Sequence, residues 1–249
     1  MIIAIVAPVL KSLCVVDTFD TLECLDDECY NCEMKILCVG DLKSLTFDCN
    51  FLRVYSLHKL PSLVDPSMNF VGTQFMGNNA VHQVFREFCD VNDLEVSSSV
   101  VEVLFRPEIS SIMPNLLKVI NLEVNKTYDG LDCSSLICLL SDMPNIESLV
   151  FSDTHWTFGV NLQILPTLPV RYLQRLESIE LRCFYADEDE NEIHVVEFLL
   201  KNARVLKKMT VISCSALYAD PRKQLEVTKK VKKLLRLPRA SDCSVIEFS

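Results

Sequence analysis

Glycine is scarce in this chain, with 5 among 249 residues, and neither G-x-G-x-x-G nor G-x-x-x-x-G-K-[ST] occurs. Such glycines let a backbone wrap closely around phosphate groups, so nucleotide-driven chemistry is not expected. Positive charge is also in deficit: 24 Lys and Arg stand against 34 Asp and Glu, a net charge of -10. The chain as a whole should therefore repel nucleic acid and anionic membranes.

No long apolar run is present. The apolar start, residues 1–10, ends at Lys11 and is shorter than the roughly 20 residues that a bilayer span needs. It also lacks the basic segment that opens a secretory signal. We expect a buried strand or an irregular start there, no membrane partner, and a cytoplasmic or nuclear protein. In those compartments the 12 cysteines would be reduced thiols, most of them small core residues.

Motifs for catalysis and for metal binding are missing as well. None of the four histidines lies in H-E-x-x-H, and no G-x-S-x-G elbow occurs. Cys29 and Cys32 form a C-x-x-C pair, but the second pair that completes a tetrahedral zinc site is absent. The sequence thus predicts a protein that is not an enzyme, with no catalytic, cofactor-binding or metal-binding residues.

An internal repeat is the main feature that is present. Segments of the form apolar-x-x-apolar-x-apolar recur, and a weaker copy ends at residues 68–70. Their fourth positions are Leu45, Met68 in the weaker copy, Leu94, Leu122, Leu149, Ile179 and Met209. The spacings are 23, 26, 28, 27, 30 and 30 residues, which is close to the period of leucine-rich repeats. We therefore predict an α/β fold: a leucine-rich-repeat solenoid with a parallel sheet along its concave side.

The fifth position of each segment points away from the core, because side chains alternate along a strand. This predicts an outward set of partner-binding residues: Thr46, Asn69, Glu95, Glu123, Val150, Glu180 and Thr210. The glutamates make this an acidic face that suits an unknown, basic protein target. The alternative is a plain solvated sheet surface.

The C-terminal third predicts a compact α/β unit. A helix should start at Asn191, with its inward face at Ile193, Val196, Leu199, Leu200 and Ala203. A strand at 208–213, a helix at 223–237 and a strand at 243–248 should follow. In the second helix the inward residues are Val227, Val231, Leu234 and Leu235, and Lys229, Lys230, Lys232 and Lys233 lie largely on the other side.

Charge is unevenly divided along the chain. Residues 200–249 hold 12 basic and 4 acidic residues, whereas residues 1–199 hold 12 and 30. The basic helix therefore raises an alternative function, a nucleic-acid-binding or nuclear protein. That helix lacks the interleaved aromatic residues that such binding favours, so nucleic acid is the less favoured partner.

Residues 198–211 and 233–245 resemble the FBD domain of plant F-box/FBD/leucine-rich-repeat proteins, and residues 57–64 and 143–156 are similar to the repeats of that family. The resemblance implies a leucine-rich-repeat region at 1–160 and an FBD-type domain at 161–249. It also implies substrate recognition for a ubiquitin ligase. Residues 1–40 show no recognisable F-box, the segment by which the family docks on a Skp-type adaptor. We therefore expect a protein-interaction module without its own F-box.

Overall fold

A computed structural model describes residues 2–17, 33–37, 40–49, 54–57, 60–70, 85–104, 116–125, 131–152, 156–157, 173–184, 191–213 and 221–248. The chain divides into two compact units, unit 1 (Met1–Val119) and unit 2 (Ile120–Ser249). This division by compactness lies N-terminal to the boundary expected between residues 160 and 161. The expected boundary divides the leucine-rich-repeat region from the FBD-type domain, and it stays a prediction.

Unit 1 is built mainly of parallel strands. Its elements are β1 (Ile2–Val6), β2 (Ser12–Asp17), β3 (Glu33–Leu37), β4 (Ser44–Cys49), β5 (Val54–Leu57), β6 (Asp65–Phe70), β7 (Asp93–Ser97) and helix α1 (Ser98–Leu104). Strands β1, β3 and β5 form one sheet, and β2, β4, β6 and β7 are successive neighbours in another. The strand expected at the N-terminus is present, but Val6 is 62% exposed, so that strand is not buried throughout.

Unit 2 alternates strands and helices. Its elements are β8 (Asn121–Asn125), β9 (Leu131–Asp132), α2 (Cys133–Ser141), β10 (Ser148–Ser152), β11 (Trp156–Thr157), β12 (Ser178–Phe184), α3 (Asn191–Asn202), β13 (Lys208–Ser213), α4 (Pro221–Leu234) and β14 (Val245–Phe248). Strands β8, β10, β12, β13 and β14 are neighbours in that order, and each pairing is parallel. The fold is therefore α/β with a mostly parallel sheet, as the repeats predicted.

The same tight turn precedes strand after strand. In each turn a backbone N–H donates to the carbonyl three residues earlier, as from Ile146 to Met143, from Leu176 to Leu173 and from Leu206 to Ala203. The residues at both ends of these turns are buried, so each turn is fastened to the core. Pro144 lies inside one of them, where its fixed backbone angle suits the turn.

Side chains alternate between core and surface along the strands of unit 2. Leu122, Leu149, Ile179 and Met209 occupy matching inward positions in the strand register, and each is at most 1% exposed. A single strand cannot cover such a face, so neighbouring strands share one apolar layer. The predicted repeat frame is confirmed over these four strands.

The frame predicted for β6 is wrong by two residues. Pro66, not Met68, pairs with Leu45, and Met68 pairs with Phe47. Both Met68 and Phe47 are fully buried, so the apolar pattern fits either frame. A shift of two residues preserves which side each residue faces, and periodicity alone therefore cannot detect it.

The two C-terminal helices differ from each other in how well they match expectation. All five residues predicted to face inward from the first helix are at most 2% exposed; four lie in α3, and Ala203 directly follows it. Of the four residues predicted to face inward from the second helix, Leu234 is fully buried, Leu235 is 45% exposed, and Val227 and Val231 are half-buried. The prediction that Leu235 faces inward is wrong, because α4 ends at Leu234 and Leu235 already lies in the following turn.

The cysteines whose side chains are described are less buried than the predicted core position. Cys14 and Cys243 are exposed, Cys89 and Cys138 are half-buried, and none of these four forms a disulfide. Burial, followed by the charge of Asp90, raises the pKa of the Cys89 thiol. The pair Cys29 and Cys32 lies outside the described residues.

Candidate functional site

Five residues of unit 2 lie side by side across the parallel strands. The strand register aligns Glu123, Val150, Glu180, Thr210 and Glu247, and we call this set the outward row. The first four were predicted from the fifth repeat position, and the structure brings them together. Each of those four is half-buried between fully buried neighbours on its own strand, so the row forms the solvent-facing side of the sheet.

One arginine ties the centre of this row together. Arg182 Nε donates to Glu180 Oε1 at 2.6 Å, and one of its terminal nitrogens lies 3.0 Å from Glu123 Oε1. Ser152 Oγ donates to the same Glu123 oxygen at 2.6 Å and accepts from Arg182 at 3.2 Å. We call these four residues the Arg182 cluster. It joins three adjacent strands through their side chains.

The electrostatics of the cluster differ from the acidic face that the sequence predicted. The hydrogen bond to Glu180 is the main cause that raises the pKa of Arg182, so the guanidinium remains charged beside the two carboxylates. Further along the sheet, Lys208 Nζ lies 2.9 Å from Glu247. Basic residues therefore compensate much of the acidic charge, and the surface of unit 2 carries mixed charge.

The sequence pattern missed Arg182, Lys208 and Glu247. Arg182 lies two residues after Glu180 on β12, and the two side chains point to the same side because strand positions alternate. Arg182 occupies the seventh position of its segment, one position beyond the six-residue repeat pattern. Glu247 lies on β14, which the sequence predicts as a last strand rather than as another copy of the repeat.

The predicted outward residues of unit 1 are less regular. Thr46 pairs with Ser67, and Ser67 pairs with Glu95, so these positions align. Asn69 instead lies opposite Asp48, which corrects its predicted place in the set. Its Oδ1 atom is buried without a hydrogen-bond partner. Ser67 occupies the position predicted for Asn69 and is itself only 8% exposed.

The segment after α4 is fastened by backbone carbonyls rather than arranged as a reactive site. Ser241 Oγ donates to the Leu206 carbonyl at 2.7 Å, and the Ala240 N–H donates to the Leu200 carbonyl at 2.9 Å. Arg239 donates to the carbonyls of Ser244 and Leu235. These residues connect the end of α3 and the start of β13 to the last strand, so their role is structural.

The described residues contain no group of three or more His, Cys, Asp or Glu side chains placed to hold a metal ion. In the same part of the chain, no helix is both long and apolar enough to cross a bilayer. The predicted absence of catalytic, cofactor-binding and metal-binding residues stays a prediction.

Known proteins resemble this chain over most of its described length. The FBD family model matches residues 168–211. An FBD-associated F-box protein of Arabidopsis thaliana is 29% identical over 198 residues, which cover 74% of this chain and 41% of the relative. Two F-box/FBD/LRR-repeat proteins of the same plant are each 26% identical; the matches cover 82% and 78% of this chain and 45% and 42% of the relatives.

The chain spans less than half the length of each of these relatives. The matched FBD segment contains β12, α3 and most of β13, so it includes Glu180, Arg182 and Thr210 of the surface described above. The FBD domain matched at residues 168–211 and the similarity to F-box/FBD/LRR-repeat proteins support a relationship of this chain with the plant FBD family.

Proposed function

We propose that this chain is a protein-interaction module that acts as the substrate-recognition part of an F-box-type ubiquitin-ligase receptor. Its contact surface is the outward row together with the Arg182 cluster. The observation that carries the proposal is the alignment of Glu123, Val150, Glu180 and Thr210 across adjacent strands, all partly accessible and all held in register. The names of the relatives support the same role.

The side chains of this surface are preorganised for binding. Parallel strands fix the spacing of the row, and the Arg182 cluster holds its charged side chains in place before any partner arrives, which lowers the entropy cost of binding. Arg182 remains 42% exposed, so its guanidinium has surface available for a partner. A target with alternating acidic, basic and small apolar groups suits this surface better than a purely basic one.

The finer architecture belongs to this proposal. We take the repeated turn and strand as coils of a leucine-rich-repeat solenoid, because stacked coils present such rows on one side. In the same proposal the protein is not an enzyme and works in the cytoplasm or nucleus. Docking on a Skp-type adaptor would be the task of an F-box, for which residues 1–40 offer no match.

The experiment compares two identical substitutions at different places. The tagged chain, its Val150→Arg variant and its Val205→Arg variant are incubated with plant extract, and the captured proteins are quantified by mass spectrometry. Val150 lies in the outward row, whereas Val205 lies in a turn and is 42% exposed. We expect the target to be lost with Val150→Arg and kept with Val205→Arg.

Two further measurements, thermal unfolding of the variants and a check for a Skp-type adaptor among the captured proteins, make the outcome decisive. Thermal unfolding of both variants must match the parent chain, which shows that loss of capture is not loss of folding. A Skp-type adaptor among the captured proteins would contradict the expectation that this chain lacks an F-box. If both variants capture the same proteins as the parent, the outward row is not the contact surface.

The alternative function, nucleic-acid binding through α4, involves a different surface, because α4 contributes no residue to the outward row. The observation that favours it is the set of exposed lysines along that helix. Counterion release makes binding to phosphates fall steeply with added salt, so a titration with single-stranded DNA at several salt concentrations tests it.

A further inference from the structure

Helix α4 carries a basic stripe on its solvent side. Leu225, Lys229 and Lys232 lie on α4, and Arg236 lies in the turn that follows it, where its backbone N–H donates to the Lys233 carbonyl. The four follow each other at intervals of four, three and four residues, the spacing that places side chains on one side of a helix. All four are exposed. We call them the outer stripe of α4. Lys230 does not belong to it, because its ammonium nitrogen is buried, which corrects its predicted outward position.

The charges of the outer stripe lack the partners that other basic residues of unit 2 have. Arg182, Lys201, Lys207 and Lys208 each form an ion pair with a glutamate. Within the described part of the chain, Lys229, Lys232 and Arg236 form none. Three neighbouring cations with no ion pair to any described residue, on a chain of net charge -10, create a local positive potential that attracts an acidic partner.

The helix itself accounts for only part of this charge. Lys232 lies in the last turn of α4, where the negative end of the helix dipole favours a cation. That effect fades within one turn, so it does not extend to Lys229. The stripe is therefore longer than stabilisation of the helix end requires.

Apolar side chains frame the same surface. Leu225 is 58% exposed at one end, and Leu235 is 45% exposed at the other. Ten residues separate them along the chain, about 15 Å at the rise of a helix. Exposed leucines beside cations suit a protein segment that brings both acidic and apolar groups, because only apolar contact gains from covering them.

Nucleic acid fits this surface less well. Single strands are held by aromatic side chains between basic residues, and residues 221–239 contain no aromatic residue. Leu225 and Leu235 would gain no favourable free energy from contact with phosphate groups, because apolar surface is stabilised only by apolar contact. We propose that the outer stripe of α4 docks an acidic segment of a partner protein whose apolar side chains contact Leu225 and Leu235.

This docking surface is separate from the outward row, and the proposal does not depend on the proposed function. The probe is a fluorescein-labelled peptide of about 14 residues with two leucines ten positions apart and glutamate at most other positions, a spacing taken from the helix rise. A second peptide has serine in place of both leucines. A single-stranded oligonucleotide, (dT)14, is the competing class of ligand.

Binding is measured by fluorescence anisotropy on the full chain. Lys229→Gln/Lys232→Gln/Arg236→Gln should weaken the leucine-containing peptide about tenfold, as expected for three charge pairs at an exposed surface. Leu225→Ser/Leu235→Ser should weaken it several-fold. The matched control, Lys201→Gln/Arg204→Gln/Lys207→Gln, removes the same charge from the same unit and should leave binding within twofold.

Each result decides. Loss with both stripe variants and retention with the control support the proposal. Preference for (dT)14 overturns it in favour of nucleic acid. Preference for the serine peptide overturns it in favour of binding by charge alone. No binding of any probe overturns it. Self-association of the chain that the stripe variant abolishes, measured by sedimentation, overturns it in favour of a second copy as the occupant.

Discussion

Helices α3 and α4 have similar amphipathic patterns but very different surroundings. The predicted inward residues of α3 are buried, whereas in α4 Leu234 is fully buried and Leu225 is exposed, as is Leu235 in the turn that follows. The hydrophobic pattern of a helix indicates which side turns inward, but the depth of burial depends on what covers that side. The comparison therefore separates a helix of the core from a helix at the periphery.

The largest expected effect compares neighbouring leucines at the end of α4. Leu234→Asp places an unpaired carboxylate where the side chain is fully buried, which costs several kcal/mol. Leu235→Asp changes a residue that is 45% exposed and should cost less than about 1 kcal/mol. Urea unfolding followed by circular dichroism measures both. Equal losses would mean that the two leucines share one environment, against the register of the helix.

A second comparison sets one helix against the other. Leu199→Ala in α3 removes a side chain that is 1% exposed and should cost about 2–5 kcal/mol. Leu225→Ala in α4 should change the free energy of unfolding by less than about 0.5 kcal/mol. The melting temperatures of the two variants report the difference. A large loss for Leu225→Ala would show that α4 is part of the core.

Hydrogen bonds offer a third, smaller contrast. Ser241→Ala leaves the buried Leu206 carbonyl without its side-chain donor and should cost about 1–3 kcal/mol. Ser62→Ala removes an exposed hydrogen bond to the Gly40 carbonyl and should cost less than about 0.5 kcal/mol, because water replaces the donor. Chemical unfolding checks both. A neutral Ser241→Ala would show that this fastening of the last segment is dispensable.

The smallest effect concerns Asp142, just after helix α2. Burial raises the pKa of its carboxyl above 3.8, so the folded state binds this proton more tightly than the unfolded state does. The protein therefore loses stability as pH rises through the folded pKa. Asp142→Asn should therefore be slightly more stable than the parent at pH 7, by less than about 1 kcal/mol because the group is partly solvated. The gain should vanish below about pH 3.8. Unfolding curves at both pH values measure it, and an unchanged gain at low pH would contradict the burial argument.

Much of the fold follows from the sequence because the apolar periods are strong. The repeat frame predicted the inward residues of β8, β10, β12 and β13, and the start of α3 at Asn191 is confirmed. The exceptions have physical reasons. The predicted register of β6 is off by two residues because both registers bury apolar side chains. How deeply the side chains of α4 are buried depends on tertiary contacts that no local sequence pattern encodes.

The candidate site was only partly accessible to the same reasoning. Alternation predicted Glu123, Val150, Glu180 and Thr210, since it depends only on strand position. The Arg182 cluster depends on which residues become neighbours across strands, and Glu123 and Arg182 are 59 residues apart in the chain. A charge pattern read along one segment therefore overestimated the acidity of the surface.

The tight turns before the strands have a consequence for how such a chain can change in length. Leu122, Leu149, Ile179, Met209 and Ile246 share one register, although 27, 30, 30 and 37 residues separate them in turn. The carbonyls of Ile120, Glu147 and Glu177 each accept two backbone N–H groups from the next copy, which fixes the alignment at the entrance to each strand. Insertions between strands can thus accumulate without moving the surface residues, so the connecting segments are free to diversify while the spacing of the row is kept.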